Sequence, residues 1–298
     1  MEEGRQSTTA IGAALMRAAY WLLDDDPKLL RDDLALGLSG LENEAALRTA
    51  IEMMQAKFAQ RIGPDLGHSL VRYLCAYTAL RSRYTEDEFR KARARGVIQY
   101  VILGAGLDSF AYCRQDPSAS IRIFEVDYPA TQQWKRARLR ELGVDLPPNL
   151  TFVPLDFEKR TLIAGLHAEG YRPQDPTFFS WLGVVPYLTE EAIFRTLREI
   201  ASAAPGSEVV FDYMLLPALL DEESRQAWAL IGADIAARGE PLHSFFAPDS
   251  LAARSKELGF TQVWDLSAEE VFARCFAGHA DGFRNLHGMH LLKARVGG

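Results

Sequence analysis

The chain has 298 residues, enough for one large domain or two ordinary ones, and is 48% apolar and 24% charged, the balance of a globular protein with a substantial core. Its formal net charge of -7, from 33 basic and 40 acidic residues, argues against a general nucleic-acid binder, which would carry a basic field. Three widely spaced cysteines, Cys75, Cys113 and Cys275, form neither a CxxC nor a Cys/His cluster and read as reduced thiols, with no metal expected. The acidic start Met1-Glu2-Glu3 lacks the apolar run of a signal peptide, and no apolar run reaches membrane-spanning length. The expectation is a soluble cytoplasmic protein without membrane contact.

In chain order, residues 8–24 suit a buried amphipathic helix with Thr8 or Thr9 as its N-cap, stopped by Asp24-Asp25-Asp26-Pro27. Residues 44–61 and 67–83 read as two more helices, and the charged run 86–95 as a solvated helix face. From residue 97 short β-branched runs alternate with helical patterns. Strands are expected at 99–103, 122–126, 151–154, 177–181, 208–212, 261–266 and 289–293, and helices at 128–142, 162–169, 190–203 and 250–258. This alternation predicts an α/β fold, a doubly wound, mainly parallel seven-stranded sheet whose last strand is reversed. A helical cap over 1–95 would precede a Rossmann-like core over 96–298 within a single domain. The stretch 215–246 would be an insertion between strands five and six, placed as a lid.

The chemistry concentrates at the ends of the first three strands. Strand one runs into Gly104-Ala105-Gly106-Leu107-Asp108-Ser109, and strand two ends 23 positions after Gly104 at Asp127. Glycines let a backbone approach a ligand closely, and an acid about 20 positions on can hold a ribose. A dinucleotide site needs a third glycine where Ser109 stands, so the pattern fits a ligand without a pyrophosphate, such as S-adenosylmethionine. Asp156 and Phe157, just past strand three, would reach the same crevice, the acid toward the adenine amino group and the ring against the base. Asp127 could otherwise cap the helix that begins at Tyr128-Pro129.

Several stretches together resemble one family. They are Thr9-Ala10 with Arg17-Ala18-Ala19, Arg81-Ser82-Arg83-Tyr84, Leu103-Gly104-Ala105-Gly106-Leu107-Asp108-Ser109, Phe124-Glu125-Val126-Asp127-Tyr128-Pro129, Leu155-Asp156-Phe157 and Trp181 to Leu188. The chain is similar in these to the leucine carboxyl methyltransferase family, in its bacterial branch. The resemblance implies a class I methyltransferase fold with N-terminal helices closing over S-adenosyl-L-methionine. It implies cofactor contacts at Gly104, Ala105, Gly106, Asp127, Tyr128, Asp156 and Phe157. It also implies that Arg81, or less favourably Arg83, pairs with the methionyl carboxylate, for which a guanidinium fork is suited. Many relatives carry a glutamate near the position of Leu182, so here the methionyl amino group must find other acceptors.

Methyl transfer from a sulfonium is an in-line displacement that depends on position and electrostatics. A carboxylate acceptor is already ionised and needs no base, whereas a phenol or alcohol does. His243 is the candidate base, and Tyr187 and Tyr213, after strands four and five, are placed to meet the methyl group. The expected activity is O-methylation of a carboxylate on a small molecule or peptide. The alternatives are a phenol or hydroxyl acceptor served by His243, and a non-catalytic cofactor-binding module. His287 and His290, three apart in a strand, would face opposite ways and make no metal site with His279.

Overall fold

The computed structural model describes residues 7–113, 121–275 and 286–297. Four helices come first: α1 (Thr8–Leu23), α2 (Ala35–Ser39), α3 (Glu44–Ile62) and α4 (Pro64–Ala94). Ser7, one residue before the expected caps, accepts the Ala10 N–H and starts α1. The expected second and third segments after it are resolved differently. α3 forms as expected, with Asn43 as its cap, but the next two segments are joined in one 31-residue helix, Pro64–Ala94. The charged run is therefore not a solvated face throughout. Glu86 and Glu88 are buried, and Glu88 accepts from Lys293 of the last strand at 2.5 Å and from Lys91 at 2.6 Å. A charge that finds a partner in the core need not face water, and that partner is two hundred residues away.

The remaining elements in chain order are β1 (Gln99–Leu103), α5 (Phe110–Cys113), β2 (Arg122–Asp127), α6 (Pro129–Glu141), β3 (Leu150–Pro154), α7 (Leu162–Ala168), β4 (Thr177–Trp181), α8 (Glu190–Ala201), β5 (Glu208–Met214), α9 (Glu222–Ala236), α10 (Pro248–Glu257), β6 (Phe260–Ser267), α11 (Ala268–Cys275) and β7 (Met289–Val296). Short 3₁₀ turns lie at Val185–Tyr187 and Pro217–Leu219. The seven strands form one sheet in the order β3-β2-β1-β4-β5-β7-β6, parallel except for β7, which runs antiparallel to both neighbours. Every residue of β1, β4 and β5 is buried, as continuous apolar strands covered on both faces should be. The edge strand β6 instead mixes exposed and buried positions.

Strand order reverses between β1 and β4, the switch point of a doubly wound sheet, where the carboxyl ends of the strands open a crevice. The ladder is carried past the strand ends there. Ala105 donates to the Val126 carbonyl at 3.0 Å and Leu155 to the Asp127 carbonyl at 2.8 Å, which brings the three strand ends level. α1 is tied to the same place, because buried Arg17 bonds Asp32 at 2.9 Å and the Leu107 carbonyl at 2.6 Å. The expected insertion 215–246 between β5 and β6 carries α9, and its two ends, Leu215 and Phe246, form a parallel bridge. Among the described residues no helix is long and apolar enough to cross a membrane, and no cluster of His, Cys, Asp and Glu could hold a metal.

Candidate active site

A cavity of ≈ 910 Å³ lies over the switch point, at the upper end of the roughly 300–1,000 Å³ of small-molecule clefts. Its floor is the loop after β1. Gly104 and Gly106 have φ of +61° and +44°, in the left-handed region that favours glycine. A Cβ on Gly104 would sit 2.3 Å from Cγ2 of Val184, so the loop after β4 can close on the loop after β1 only because Gly104 has no side chain.

Asp127 stands at the end of β2, 8% exposed. One carboxylate oxygen accepts the Gly106 N–H and the other accepts the Tyr128 N–H at 2.6 Å. The carboxylate is thus turned to the glycine loop and is not the cap of α6, where Pro129 takes the first position. Burial pushes its pKa up to about 6, and the two backbone N–H bonds work against that rise. An ionised carboxylate has about four acceptor sites, so after these two bonds it can still receive a diol. Behind it, buried Glu125 takes Lys135 at 2.7 Å and the Tyr112 hydroxyl at 3.1 Å, and burial raises the Glu125 pKa.

Asp156 and Phe157 line the same cavity. Asp156 accepts the Glu158 N–H at 3.0 Å, opening the turn after β3. The buried Phe157 ring lies 5.9 Å from Trp181, and Arg195 holds its carbonyl. Ala105 and Tyr128 are also in the wall.

The two arginines separate. Arg81 enters the cavity, with Nη1 2.6 Å from Asp212, while the other oxygen of Asp212 takes the Gly183 N–H at 2.6 Å. Burial opposes its charge, but Asp212 and the nearby tyrosines leave its pKa raised. A Cβ on Gly183, at φ +69°, would come within 2.8 Å of Nη2, so this glycine admits the guanidinium. Arg83, two positions on and so on another face of α4, is not in the cavity wall. It binds Asp87 at 3.0 Å and the Leu29 carbonyl at 2.8 Å.

Tyr187 lines the cavity, and burial pushes its hydroxyl up to about 12, so it is a neutral donor at ordinary pH. His243 lines it too, exposed at the mouth, with its backbone N–H on the Pro186 carbonyl at 2.7 Å. Tyr213 does not. It lies within β5 and not after it, fully buried, and its hydroxyl donates to Asp265 at 2.5 Å. His290 shares that carboxylate at 2.6 Å, while exposed His287 lies before β7 begins and not in the strand. His279 is outside the described residues.

Three features escaped sequence reading. Asp212 was visible only as the end of a strand. Val184 has no signal without the fold. Glu240, in the segment after β5, reaches back to the start of the chain, accepting the Thr8 and Thr9 N–H groups at 2.8 and 3.0 Å.

The model of the leucine carboxyl methyltransferase family matches residues 10–201. This chain belongs to that family. A Bacillus subtilis protein with the provisional name S-adenosyl-L-methionine-dependent methyltransferase YktD is 29% identical over 98% of this chain and 100% of its own length. A Mycobacterium tuberculosis protein with the same kind of provisional name is 30% identical over 89% of this chain and 83% of its own. Among solved structures, a methyltransferase-like protein of Thermobifida fusca overlays with a TM-score of 0.55 at 16% identity, covering 100% of this chain and 97% of the other. A Streptomyces avermitilis protein gives 0.57 at 14% identity, covering 96% and 97%. At such identities the overlays show the fold alone. The family member described here is an S-adenosylmethionine-dependent methyltransferase, and the glycine cradle and the half-satisfied Asp127 carboxylate fit that cofactor.

Proposed function

We propose that the enzyme methylates a carboxylate oxygen of a small molecule or peptide. The observation that carries this reading is Tyr187 in the same cavity wall as Arg81. A hydroxyl kept protonated beside Arg81 can hold the second oxygen of a carboxylate as a donor and cannot serve as a base. A carboxylate needs none, since it is ionised at neutral pH.

Bound S-adenosylmethionine supplies an electrophilic methyl group on a sulfonium. The chain's residues position it. Gly104, Ala105 and Gly106 let the backbone approach, Asp127 takes the ribose diol, Asp156 and Phe157 flank the adenine, and Arg81 takes the methionyl carboxylate. Asp212 fixes the guanidinium in place from behind. The helices of 1–95 and the segment 215–246 act as a cap that keeps water from the transfer.

The test is the alkali stability of the product label. The enzyme is incubated with methyl-labelled cofactor and mixed carboxylic acids and phenols. A methyl ester releases its label as methanol in mild base, and that is the expected result. A base-stable aryl ether would overturn the carboxylate reading in favour of a phenol. His243, which already lines the cavity, would then be the base, and His243→Ala would abolish transfer without loss of cofactor affinity.

A further inference from the structure

The cavity continues beyond the cofactor residues, and its far half has a different character. Its floor is Met214 and Met289, paired across the ends of β5 and β7. Its walls include Met16 of α1, Met54 of α3, and Trp228 and Ile231 of α9. Methionines fill irregular space and adapt to flexible apolar ligands.

Most polar residues that share these walls turn their polar ends to the protein, the buried Tyr77 hydroxyl being the exception. The Trp228 N–H donates to the His287 carbonyl at 2.8 Å. The Thr78 hydroxyl donates to the Leu74 carbonyl at 2.7 Å. Lys57 of α3 and Arg238 both bind Asp234 of α9, closing the outer wall with an ion pair. A peptide entering this half would bury N–H and carbonyl groups there, and each left unpaired is unfavourable. A hydrocarbon body meets no such penalty.

We infer, resting on the carboxylate reading above, that the acceptor is a lipophilic monocarboxylic acid whose apolar body fills this methionine-lined chamber. The carboxylate alone reaches the cofactor side, where Tyr187 and Arg81 stand. One carboxylate oxygen forms the new bond to the methyl carbon, the carbon–sulfur bond breaks with its electron pair going to sulfur, and no proton moves. The products are a methyl ester and S-adenosylhomocysteine.

The test uses the full chain saturated with S-adenosylhomocysteine and titrates linear monocarboxylates from butanoate to dodecanoate by calorimetry. Each added methylene should tighten binding about fourfold until the chamber is full, the factor expected for one buried CH₂. Met54→Gln should weaken decanoate several-fold and leave S-adenosylhomocysteine affinity unchanged. With S-adenosylmethionine present, mass spectrometry should find the decanoate methyl ester. Affinity that does not depend on chain length, or preferential methylation of a tripeptide ending in leucine, would overturn the lipophilic assignment while the carboxylate reading stands. Base-stable labelling of phenols alone would overturn both. Failure of S-adenosylhomocysteine to bind would remove the cofactor assignment beneath them.

Discussion

At the scale of single residues, Asp127, proposed above to take the ribose, is buried at a cost to its ionised form. Its carboxyl is ordinarily ionised above the acid range, but burial raises it to about 6. A group raised on folding stabilises fully below its unfolded value of 3.8, and that contribution is lost as pH rises through 6. Ligand binding runs the other way. In the proposed binding mode the ribose hydroxyls donate to the ionised form, so binding should lower the pKa and release a proton. Affinity for S-adenosylhomocysteine should therefore be flat above neutrality and fall by up to tenfold per pH unit below about 6. Asp127→Asn should bind weakly and without this slope; an unchanged pH profile in calorimetry would exclude Asp127 as the group responsible.

Asp212 carries a prediction of the same kind. It is fully buried and holds both Arg81 and the Gly183 N–H. Replacing it by asparagine keeps the shape but leaves Arg81 without its counter-charge. Affinity for S-adenosylhomocysteine should fall at least tenfold. Affinity for methylthioadenosine, which lacks the methionyl carboxylate, should hardly change. Equal losses for both ligands would mean that Asp212 supports the fold in general and not Arg81 in particular.

At the scale of elements, the contact between Glu240 and α1 joins the two segments flanking the cavity. The carboxylate accepts backbone N–H groups at the positive end of a helix, an arrangement that contributes about 1 kcal/mol. Because Thr8, Thr9 and Glu240 all line the cavity, this contact is also a place where it can open. Glu240→Ala should lose hydrogen-exchange protection at the first turn of α1 and release S-adenosylhomocysteine faster, with the sheet unaffected. Protection lost across β1 and β4 as well would show a global destabilisation.

The elements that sequence located well are those whose pattern is local. β1, β4 and α3 follow from their local residue patterns. Local composition divides α4 in two because its C-terminal half is charged, and it holds no sign that Lys293 pairs with Glu88. Tyr213 was placed past the end of its strand for the same reason. β5 continues to Met214 because β7 pairs with it there, and that pairing is set by the partner strand.

At the scale of the whole molecule, one apolar core runs from Ala18 in α1 to Val296 in β7, so the N-terminal helices and the sheet share their packing. A ligand that binds only the folded state stabilises that whole by mass action, about 2.7 kcal/mol at one hundred times its dissociation constant. S-adenosylhomocysteine at that level should raise the melting temperature by several degrees in one cooperative step. Two separate transitions, only one of them ligand-dependent, would show that the helices of 1–95 and the sheet unfold independently.

Sequence was sufficient for the α/β class, the reversed last strand and the cofactor. Strand period, glycine placement and the spacing from Gly104 to Asp127 are properties of short stretches, and the chain's resemblance to a family pointed the same way. The anchoring of Arg81 on Asp212, the removal of Tyr213 from the site, the meeting of Gly104 with Val184, the clasp of Glu240 and the methionine-lined chamber belong to the tertiary structure. Each depends on which face of an element meets another far along the chain. Only the packing of β4, β5, β7 and four helices around one crevice settles those meetings.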